Sequence, residues 1–299
     1  MSTYILKDPV YDSNVSRINN FFIQWSKWYP HVKMPPYDFE FNDEDIIIVN
    51  LYEGNPYGGY NIPDKCKKLF IVHRIDEKNI RYCKDADFII YINDLLQTVV
   101  EDIGGIEKPC FTTPRHPMHK FITDVNQQNL VYIGGWFKEN KTQGLLERLK
   151  YLHDKIPVEY EFGIFPIWGK VDRYKNEIDS FKEKLTKSTQ SFGKRKIFIQ
   201  EHELFYDLML FKARIAKCAF LWENGPTREE IKDLIASKDK KILNYGIEES
   251  SMLAIFQSTK KEKLVVENRI KFIPAFEKKE VCTYQQFSQL IKKSIATIS

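Results

Sequence analysis

The sequence predicts an α/β protein of two Rossmann-like domains, each with a parallel sheet, arranged around a central cleft. Short and nearly continuous apolar runs alternate with helix-type patterns in both halves of the chain. Strands that are buried on both faces of a parallel sheet have this character. The alternation restarts near residue 125, and 299 residues suffice for two medium domains. We therefore expect domains at 1–125 and 126–280, followed by a terminal helix at 281–299.

Apolar runs predict the strands of the first domain, at 4–6, 46–49, 69–72, 88–92 and 110–112. After the first run, Asp12 or Ser13 can cap a helix whose apolar residues share one face, and this helix must end before Pro30. A second helix is expected at 95–103, because Gly104 and Gly105 follow it.

The second half repeats this alternation. Strands are expected at 130–133, 158–164, 196–199, 218–222 and 271–273. Helices are expected at 142–153, 171–187, 203–215, 227–236, 248–256 and 283–295. Ligands of open α/β sheets bind at the carboxyl ends of the strands, so functional residues are expected there.

Composition restricts the class of protein only loosely. The net charge of +4 is compatible with a polyanionic partner but does not require one. The sequence contains no apolar run of membrane-spanning length and begins without a secretory pattern, so we expect no membrane span and a cytoplasmic protein, in the host cytoplasm if the chain is viral. The five cysteines are scattered, which favours free thiols in a reducing compartment.

The stretch 130–138 is the most informative part of the chain. It is expected to be a buried strand that ends at Gly134 and Gly135, with Lys138 and Lys141 before a helix. Glycines allow backbone N–H groups to approach an anion, while lysines and the helix dipole favour its charge. We interpret this as a phosphate site, although the two lysines would equally suit an exposed turn.

This stretch resembles the glycosyltransferases of the GT-B family, which carry a strand, then Gly-Arg-x-x-x-x-Lys-Gly, then a helix. Gly134 matches, Gly135 stands at the arginine position, and Lys138 or Lys141 could supply the missing charge. The resemblance implies a metal-independent hexosyltransferase. Its co-substrate would be a nucleotide-sugar such as UDP-glucose, with no further cofactor.

A narrower resemblance concerns the phage α-glucosyltransferases that act on hydroxymethylated DNA bases. Gly134, Gly135, Phe137 and Lys138 match their Gly-Gly-Ser-Phe-Arg segment by type, and the run 47–50 with the later glycine pair is similar to their first-domain strand and loop. Double-stranded DNA with modified bases is therefore one expected acceptor. A glycan or small-molecule acceptor, or a non-catalytic nucleotide-binding or interaction protein, remains an alternative.

The acceptor side is expected at the strand ends of the first domain. His73, Arg74 and Asp76 follow the run 69–72. The GT-B resemblance implies a histidine near the donor sugar, so His73 is a candidate catalytic residue. Asp76 is the second candidate, as a base on the acceptor side, and Arg74 could approach an acceptor or a phosphate. A structural role for His73 is the alternative.

Two further segments are candidates for acceptor binding. Tyr57, Gly58 and Gly59 lie in an aromatic, glycine-rich loop after the run 46–49, where a tyrosine ring can stack on an acceptor. Arg115 lies where the first domain passes into the second. Each segment also fits a purely connecting role.

The donor side is expected in the second domain. Glu201 follows the run 196–199, Glu223 follows 218–222, and Glu249 and Ser250 stand at the start of an expected helix. The GT-B resemblance implies that glutamates at such turns hold the nucleotide ribose or lie near the donor sugar. The usual Glu-x7-Glu spacing is absent, and Ser250 also fits a helix cap.

One acidic pair does not indicate a metal site. Asp85 and Asp87 resemble a D-x-D motif but precede a strand, whereas ligands collect at strand carboxyl ends. We expect a solvated turn and no bound metal.

Overall fold

The computed structural model describes residues 1–6, 31–52, 54–113, 128–136, 145–167, 179–180, 183–184, 186–187, 192–200, 212, 215–221, 228–245, 247–248 and 282–299. The chain divides into two compact units. The first contains Met1–Lys120, Pro226–Ser250 and Glu277–Ser299, and the second contains Phe121–Gly225 and Ser251–Phe276. Segment 226–250 therefore belongs to the first unit, whereas it was predicted to belong to the second domain, 126–280.

The first unit is built on a five-stranded parallel sheet with the order β1-β2-β3-β5-β6. Its strands are β1 (Thr3–Ile5), β2 (Ile46–Leu51), β3 (Lys67–Val72), β5 (Phe88–Tyr91) and β6 (Cys110–Thr112). The residues of β2 and β5 are all buried. Burial on both faces explains why these segments are continuous apolar runs.

Two helices of this unit have well-formed N-termini. Asn93 caps α1 (Asp94–Thr98) because its side-chain oxygen accepts a hydrogen bond from the Leu96 amide at 2.9 Å. A π-helical turn, Val99–Ile103, continues α1, so the expected helix at 95–103 is confirmed. The C-terminal helix, α4 (Tyr284–Ile298), begins with a capping box between Thr283 and Gln286. Its apolar face contacts β3, β5 and β6.

A short antiparallel ribbon lies directly after β3. Its strands are β4 (Arg74–Ile75) and β11 (Ile247–Glu248), with Ile247 opposite Ile75 and Glu248 opposite Arg74. Between α3 (Arg228–Ala236) and β11, the 3-10 helix Lys240–Tyr245 places Ile242 in the same hydrophobic core. Glu248 thus lies in a strand rather than at the start of the expected helix 248–256, because β4 supplies a backbone partner.

The second unit is built on a four-stranded parallel sheet with the order β10-β7-β8-β9. Its strands are β7 (Gln128–Trp136), β8 (Glu161–Ile167), β9 (Ile197–Ile199) and β10 (Ala216–Leu221), and α2 (Leu145–Lys155) follows β7. The chain moves from β7 to β8 and β9 on one side, then places β10 on the other side of β7. The strand order therefore reverses between β7 and β10.

Aromatic packing organises the middle of the second sheet. The rings of Tyr132 and Phe165 are stacked with centroids 4.6 Å apart, and Phe198 meets Phe165 edge-on at 5.4 Å. A Cβ on Gly163 would lie 2.6 Å from the Phe198 ring and 2.7 Å from the Phe165 ring. Position 163 is therefore restricted to glycine by this ring cluster.

A buried arginine holds the end of α2. The Arg195 side chain donates hydrogen bonds to Nδ1 of His153 and to the carbonyl oxygens of His153, Ile156, Pro157 and Tyr160, at 2.6–3.2 Å. These include carbonyl groups that have no partner within the helix itself. Burial lowers the pKa of Arg195 from its ordinary value, but the cation is favoured at a helix C-terminus.

Most expected strands in the described ranges are confirmed, whereas two boundaries are wrong. The strand expected at 158–164 begins at Glu161, because a turn closed by the bond from the Tyr160 amide to the Pro157 oxygen precedes it. The expected end of β7 at Gly134 is also wrong, since β7 continues to Trp136. The strand expected at 271–273 and the helix before Pro30 lie outside the described residues.

The correction at Gly134 and Gly135 has a clear physical cause. Gly134 pairs with Phe165 of β8 and Leu221 of β10, and Gly135 pairs with Pro166 of β8. Because ladder partners are available this far along β8, the two glycines are part of the strand, and the glycine turn predicted here does not form at these residues.

Candidate functional site

His73 lies at the carboxyl edge of the first sheet, as expected, but its ring is fully buried. The side chain is 0% exposed, and Nε2 lies 3.2 Å from Oδ1 of Asn50, itself 4% exposed. The His73 amide donates to the Leu51 oxygen at 2.9 Å, which extends the β2–β3 ladder by one residue. Solvent does not reach the ring, so a direct contact between His73 and a substrate stays a prediction.

Asp76 organises the turn that follows β4. Its Oδ1 accepts hydrogen bonds from the amides of Lys78 and Asn79, at 2.9 and 3.0 Å. Its Oδ2 lies 3.7 Å from Nε of Arg74. Both carboxylate oxygens therefore have partners within the turn. This arrangement supports a structural role for Asp76, and the predicted role as a catalytic base stays a prediction.

Asn79 is a buried polar residue that ties three parts of this edge together. Its Nδ2 donates to the carbonyl oxygens of Tyr52 and Arg74, at 2.9 and 3.0 Å, and its Oδ1 accepts from the Asp76 amide at 2.8 Å. The side chain is 0% exposed. Leaving such buried groups without partners would cost about 1–3 kcal/mol each, so Asn79 fixes the positions of the strand ends.

Arg74 is the partly exposed cation of this edge. Its side chain is 23% exposed, Cζ lies 6.0 Å from the centroid of the Tyr52 ring, and Asp76 is its ion-pair partner. The β4–β11 pairing places Glu248 opposite Arg74. The predicted donor residues Glu249 and Ser250 lie outside the described residues.

The loop with Tyr57, Gly58 and Gly59 turns back onto the first unit. The Tyr57 hydroxyl donates to Oδ2 of Asp85 at 2.8 Å, and its ring meets Phe70 edge-on. Burial, reinforced by this hydrogen bond to Asp85, raises the pKa of Tyr57. Tyr57 thus contacts Asp85 and Phe70 within the first unit. Its predicted stacking on an acceptor stays a prediction.

The two glycines of this loop satisfy a backbone requirement. Gly58 has φ +60° and Gly59 has φ +99°, in the left-handed region that side chains disfavour. A Cβ on Gly59 would meet no atom within 4 Å. Both glycines therefore suit the path of the loop through their positive φ, and Gly59 is not required by close packing.

In the second unit, the reversal of strand order marks a second candidate site. Open α/β sheets bind ligands at the carboxyl ends of the strands where the order reverses. Here those ends are Gly134 to Trp136 of β7 and Leu221 of β10. Gly134 and Gly135 therefore occupy the expected location for a ligand, as strand residues without side chains rather than as a turn.

Several predicted site residues lie outside the described part of the chain: Arg115, Lys138, Lys141, Glu201, Glu223, Glu249 and Ser250. Their predicted roles remain proposals. Asn50 and Asn79 were not predicted as functional residues from the sequence. For Asn50, a signal was available, because one polar residue interrupts the apolar run 46–51.

The described ranges were searched for metal-binding groups and for membrane-spanning helices. No group of three or more His, Cys, Asp or Glu side chains within these ranges could hold a metal ion. Asp87 accepts a hydrogen bond from the Lys68 amide at 2.8 Å, so its carboxylate stabilises the beginning of β3. Among the same residues, no helix combines the length and apolar character needed to cross a membrane.

Comparison of the sequence with family models and with curated proteins finds no match. Several solved structures are similar in fold. One is an α,α-trehalose-phosphate synthase (UDP-forming) from Burkholderia vietnamiensis, at 12% identity and a TM-score of 0.40, with 60% of this chain and 51% of that chain covered.

Two other solved structures show a similar degree of likeness. A TarM mutant from S. aureus, in complex with fondaparinux, α-GlcNAc-glycerol and UDP, is 16% identical with a TM-score of 0.37, covering 72% of this chain and 50% of that chain. The Glycosylation Associate Protein (Gap123) complex from Streptococcus agalactiae is 12% identical with a TM-score of 0.38, covering 87% and 49%. The chain spans about half the length of the solved structures it matches.

Proposed function

We propose that this protein transfers a sugar from a nucleotide-sugar donor to a hydroxyl acceptor. The observation that carries the proposal is the coincidence of two independent features at β7. The strand order of the second sheet reverses beside this strand, and the sequence places two glycines and then two lysines at its carboxyl end. A reversal point is where a nucleotide is expected, and glycines allow a diphosphate to approach the backbone.

The chemistry of the donor follows from the residues beyond β7. Departure of a nucleoside diphosphate builds negative charge on the leaving oxygen. Lys138 and Lys141 would stabilise that charge without a metal, as oriented cations do in other transfer sites. Glu201 and Glu223 each come two residues after the end of a strand, β9 and β10 respectively, which supports a role for them beside the nucleotide.

The acceptor is proposed to bind at the carboxyl edge of the first sheet. Arg74 is a partly exposed cation there, and His73, Asp76 and Asn79 surround it. Hydroxymethylated bases in DNA remain a proposed acceptor because of the short resemblance at 134–138. A glycan or small molecule with a free hydroxyl is the other acceptor class.

The donor site can be tested by calorimetry with UDP and GDP. Lys138→Ala and Lys141→Ala should each weaken binding about tenfold or more, since a hydrogen bond to a charged group contributes about 1.5–3 kcal/mol. Gly135→Ala should also weaken binding, because the added Cβ would hinder the approach of the diphosphate to the backbone. Lys150→Ala is the matched control, because Lys150 is an exposed lysine of α2 beyond its first turn. Unchanged affinity in all three variants, or equal loss in the control, would remove the donor site from β7.

The transfer itself is tested by sugar release from a panel of nucleotide-sugars, with and without acceptors. Retardation of hydroxymethylated duplex DNA, weakening as salt rises, would favour the DNA acceptor. Binding of UDP without hydrolysis or transfer of any donor would instead favour a non-catalytic nucleotide-binding protein. The glycine at position 135, where the GT-B family has arginine, is the feature that favours this second candidate.

A further inference from the structure

We infer that Asn50 and His73 are positioning residues that together present Arg74 at the acceptor edge, and that His73 carries its proton on Nε2. The role of Arg74 rests on the proposed function, whereas the state of the His73 ring does not. The pair is buried, and Arg74 is the first partly exposed residue after it.

The strand register explains why the two side chains meet. Asn50 of β2 lies opposite Ile71 of β3, and His73 is two residues beyond Ile71. Alternate residues of an extended chain share a face, so Asn50 and His73 project to the same side of the sheet. The bond from the His73 amide to the Leu51 oxygen keeps the backbone extended to this point.

The chemistry of the pair fixes the tautomer of the ring. Oδ1 of an amide only accepts hydrogen bonds, and a neutral imidazole has one donor nitrogen and one acceptor nitrogen. Oδ1 of Asn50 faces Nε2 at 3.2 Å, so Nε2 is the nitrogen that bears the proton. Water does not compete for this bond, because both side chains are buried.

Asn50 lowers the stability of the fold at its buried position, and this indicates a role other than stabilisation. The other residues of β2 are apolar, and among the described residues Nδ2 of Asn50 has no hydrogen-bond partner. A buried donor without a partner is destabilising, whereas an apolar residue here would satisfy the strand pattern. Departures of this kind are expected where position matters for function.

Arg74 follows His73 directly in the chain and is also held by contacts with Asn79 and Asp76. Nδ2 of Asn79 binds the Arg74 oxygen at 3.0 Å, and Oδ2 of Asp76 lies 3.7 Å from its Nε. The Asn50–His73 bond fixes the residue before Arg74, and the Asn79 and Asp76 contacts fix the residue itself. The guanidinium therefore leaves the sheet edge in a defined direction.

The ring state is tested by ¹⁵N NMR of the histidine side chains at pH 8, with His73 assigned by its loss in His73→Gln. We expect the Nε2-protonated neutral form in the natural protein and loss of that preference in Asn50→Leu. A ring protonated on Nδ1, or an equal mixture of both forms in the natural protein, overturns the inference. This result does not depend on any transfer activity.

The positioning role is tested by a double-mutant cycle on the KM for the acceptor. Asn50→Leu should raise this KM at least fivefold in the natural background but less than twofold when Arg74→Met is already present, because neighbouring residues that act together are not additive. UDP affinity should stay within twofold in all variants. Equal effects of Asn50→Leu in both backgrounds contradict the role. If no donor is turned over at all, the proposed function fails, while the NMR result still decides the ring state.

Discussion

Glu248 lies directly opposite Arg74 in the antiparallel pairing of β11 with β4. These residues are far apart in the sequence, and the segment that carries Glu248 returns to the first unit from the second. The Glu77 amide also donates to the Leu243 oxygen at 3.3 Å. Residues 243–248 therefore complete the edge of the first unit after β3. The stability of this edge depends on the packing of β4.

Ile75→Ala should weaken that packing. Ile75 is 0% exposed and pairs with Ile247, so its truncation removes buried apolar contacts and leaves a cavity. We expect the free energy of unfolding to fall by about 2–5 kcal/mol, together with faster limited proteolysis within 226–250. Urea titration and peptide mapping measure both. Val158→Ala, at a side chain 58% exposed, is the control and should change stability by less than about 0.5 kcal/mol.

Asp76 and Asn79 should respond differently to substitution. Asp76→Asn keeps an oxygen that can accept from the Lys78 and Asn79 amides, so stability should change by about 1 kcal/mol or less. Asn79→Ala removes three hydrogen bonds of a buried side chain and should cost about 2–4 kcal/mol. Urea unfolding of both variants checks the order.

The same Asp76→Asn variant decides between a structural carboxylate and a catalytic base. If Asp76 only holds the turn, the transfer rate should fall less than about tenfold. Loss of a general base lowers rates by about a hundredfold or more. A loss of that size at unchanged stability would show that the carboxylate takes the acceptor proton.

The fold was more predictable from the sequence than the site. Strands such as 46–49 and 88–92 are buried on both faces, so their apolar runs identify them without tertiary information. The pairing of β4 with β11 could not be predicted, because each strand is two residues long and is stabilised by contacts between distant parts of the chain.

Local chemistry at the candidate sites was misjudged where tertiary partners override a local preference. Gly134 and Gly135 favour a turn by type, yet β8 and β10 offer ladder partners that keep them in β7. His73 was correctly placed at a strand end, but its burial against Asn50 depends on register between β2 and β3. A polar residue inside an apolar run was the one sequence signal for this pair.

Tyr57→Phe separates the structural role of Tyr57 from acceptor stacking. The change keeps the ring beside Phe70 and removes only the hydrogen bond to Asp85. We expect a loss of about 1 kcal/mol in the free energy of unfolding and an unchanged KM for the acceptor. Tyr57→Ala should lose more stability because ring packing is also removed. A raised acceptor KM in Tyr57→Phe at full stability would instead place the hydroxyl at the acceptor.

Buried thiols should make the protein sensitive to alkaline pH. Burial, with a smaller effect of the Asp85 charge, raises the pKa of Cys83 from 9.0 to about 12, and burial raises that of Cys282 to about 12. Above pH 9 these thiols ionise in the unfolded chain while they stay protonated in the folded chain. Their contribution to stability is therefore complete below about pH 9 and is lost as the pH rises towards 12.

Cys83→Ala tests this dependence through a slope rather than through a single stability value. Each such thiol should contribute a fall of up to about 1.4 kcal/mol per pH unit in the free energy of unfolding. Urea titrations between pH 9 and 11 should give a shallower slope for Cys83→Ala, even though the lost packing lowers its stability at every pH. Cys110→Ala, at a half-buried thiol, should alter the slope less. An unchanged slope in Cys83→Ala would mean that this thiol ionises in the folded protein as readily as in the unfolded chain.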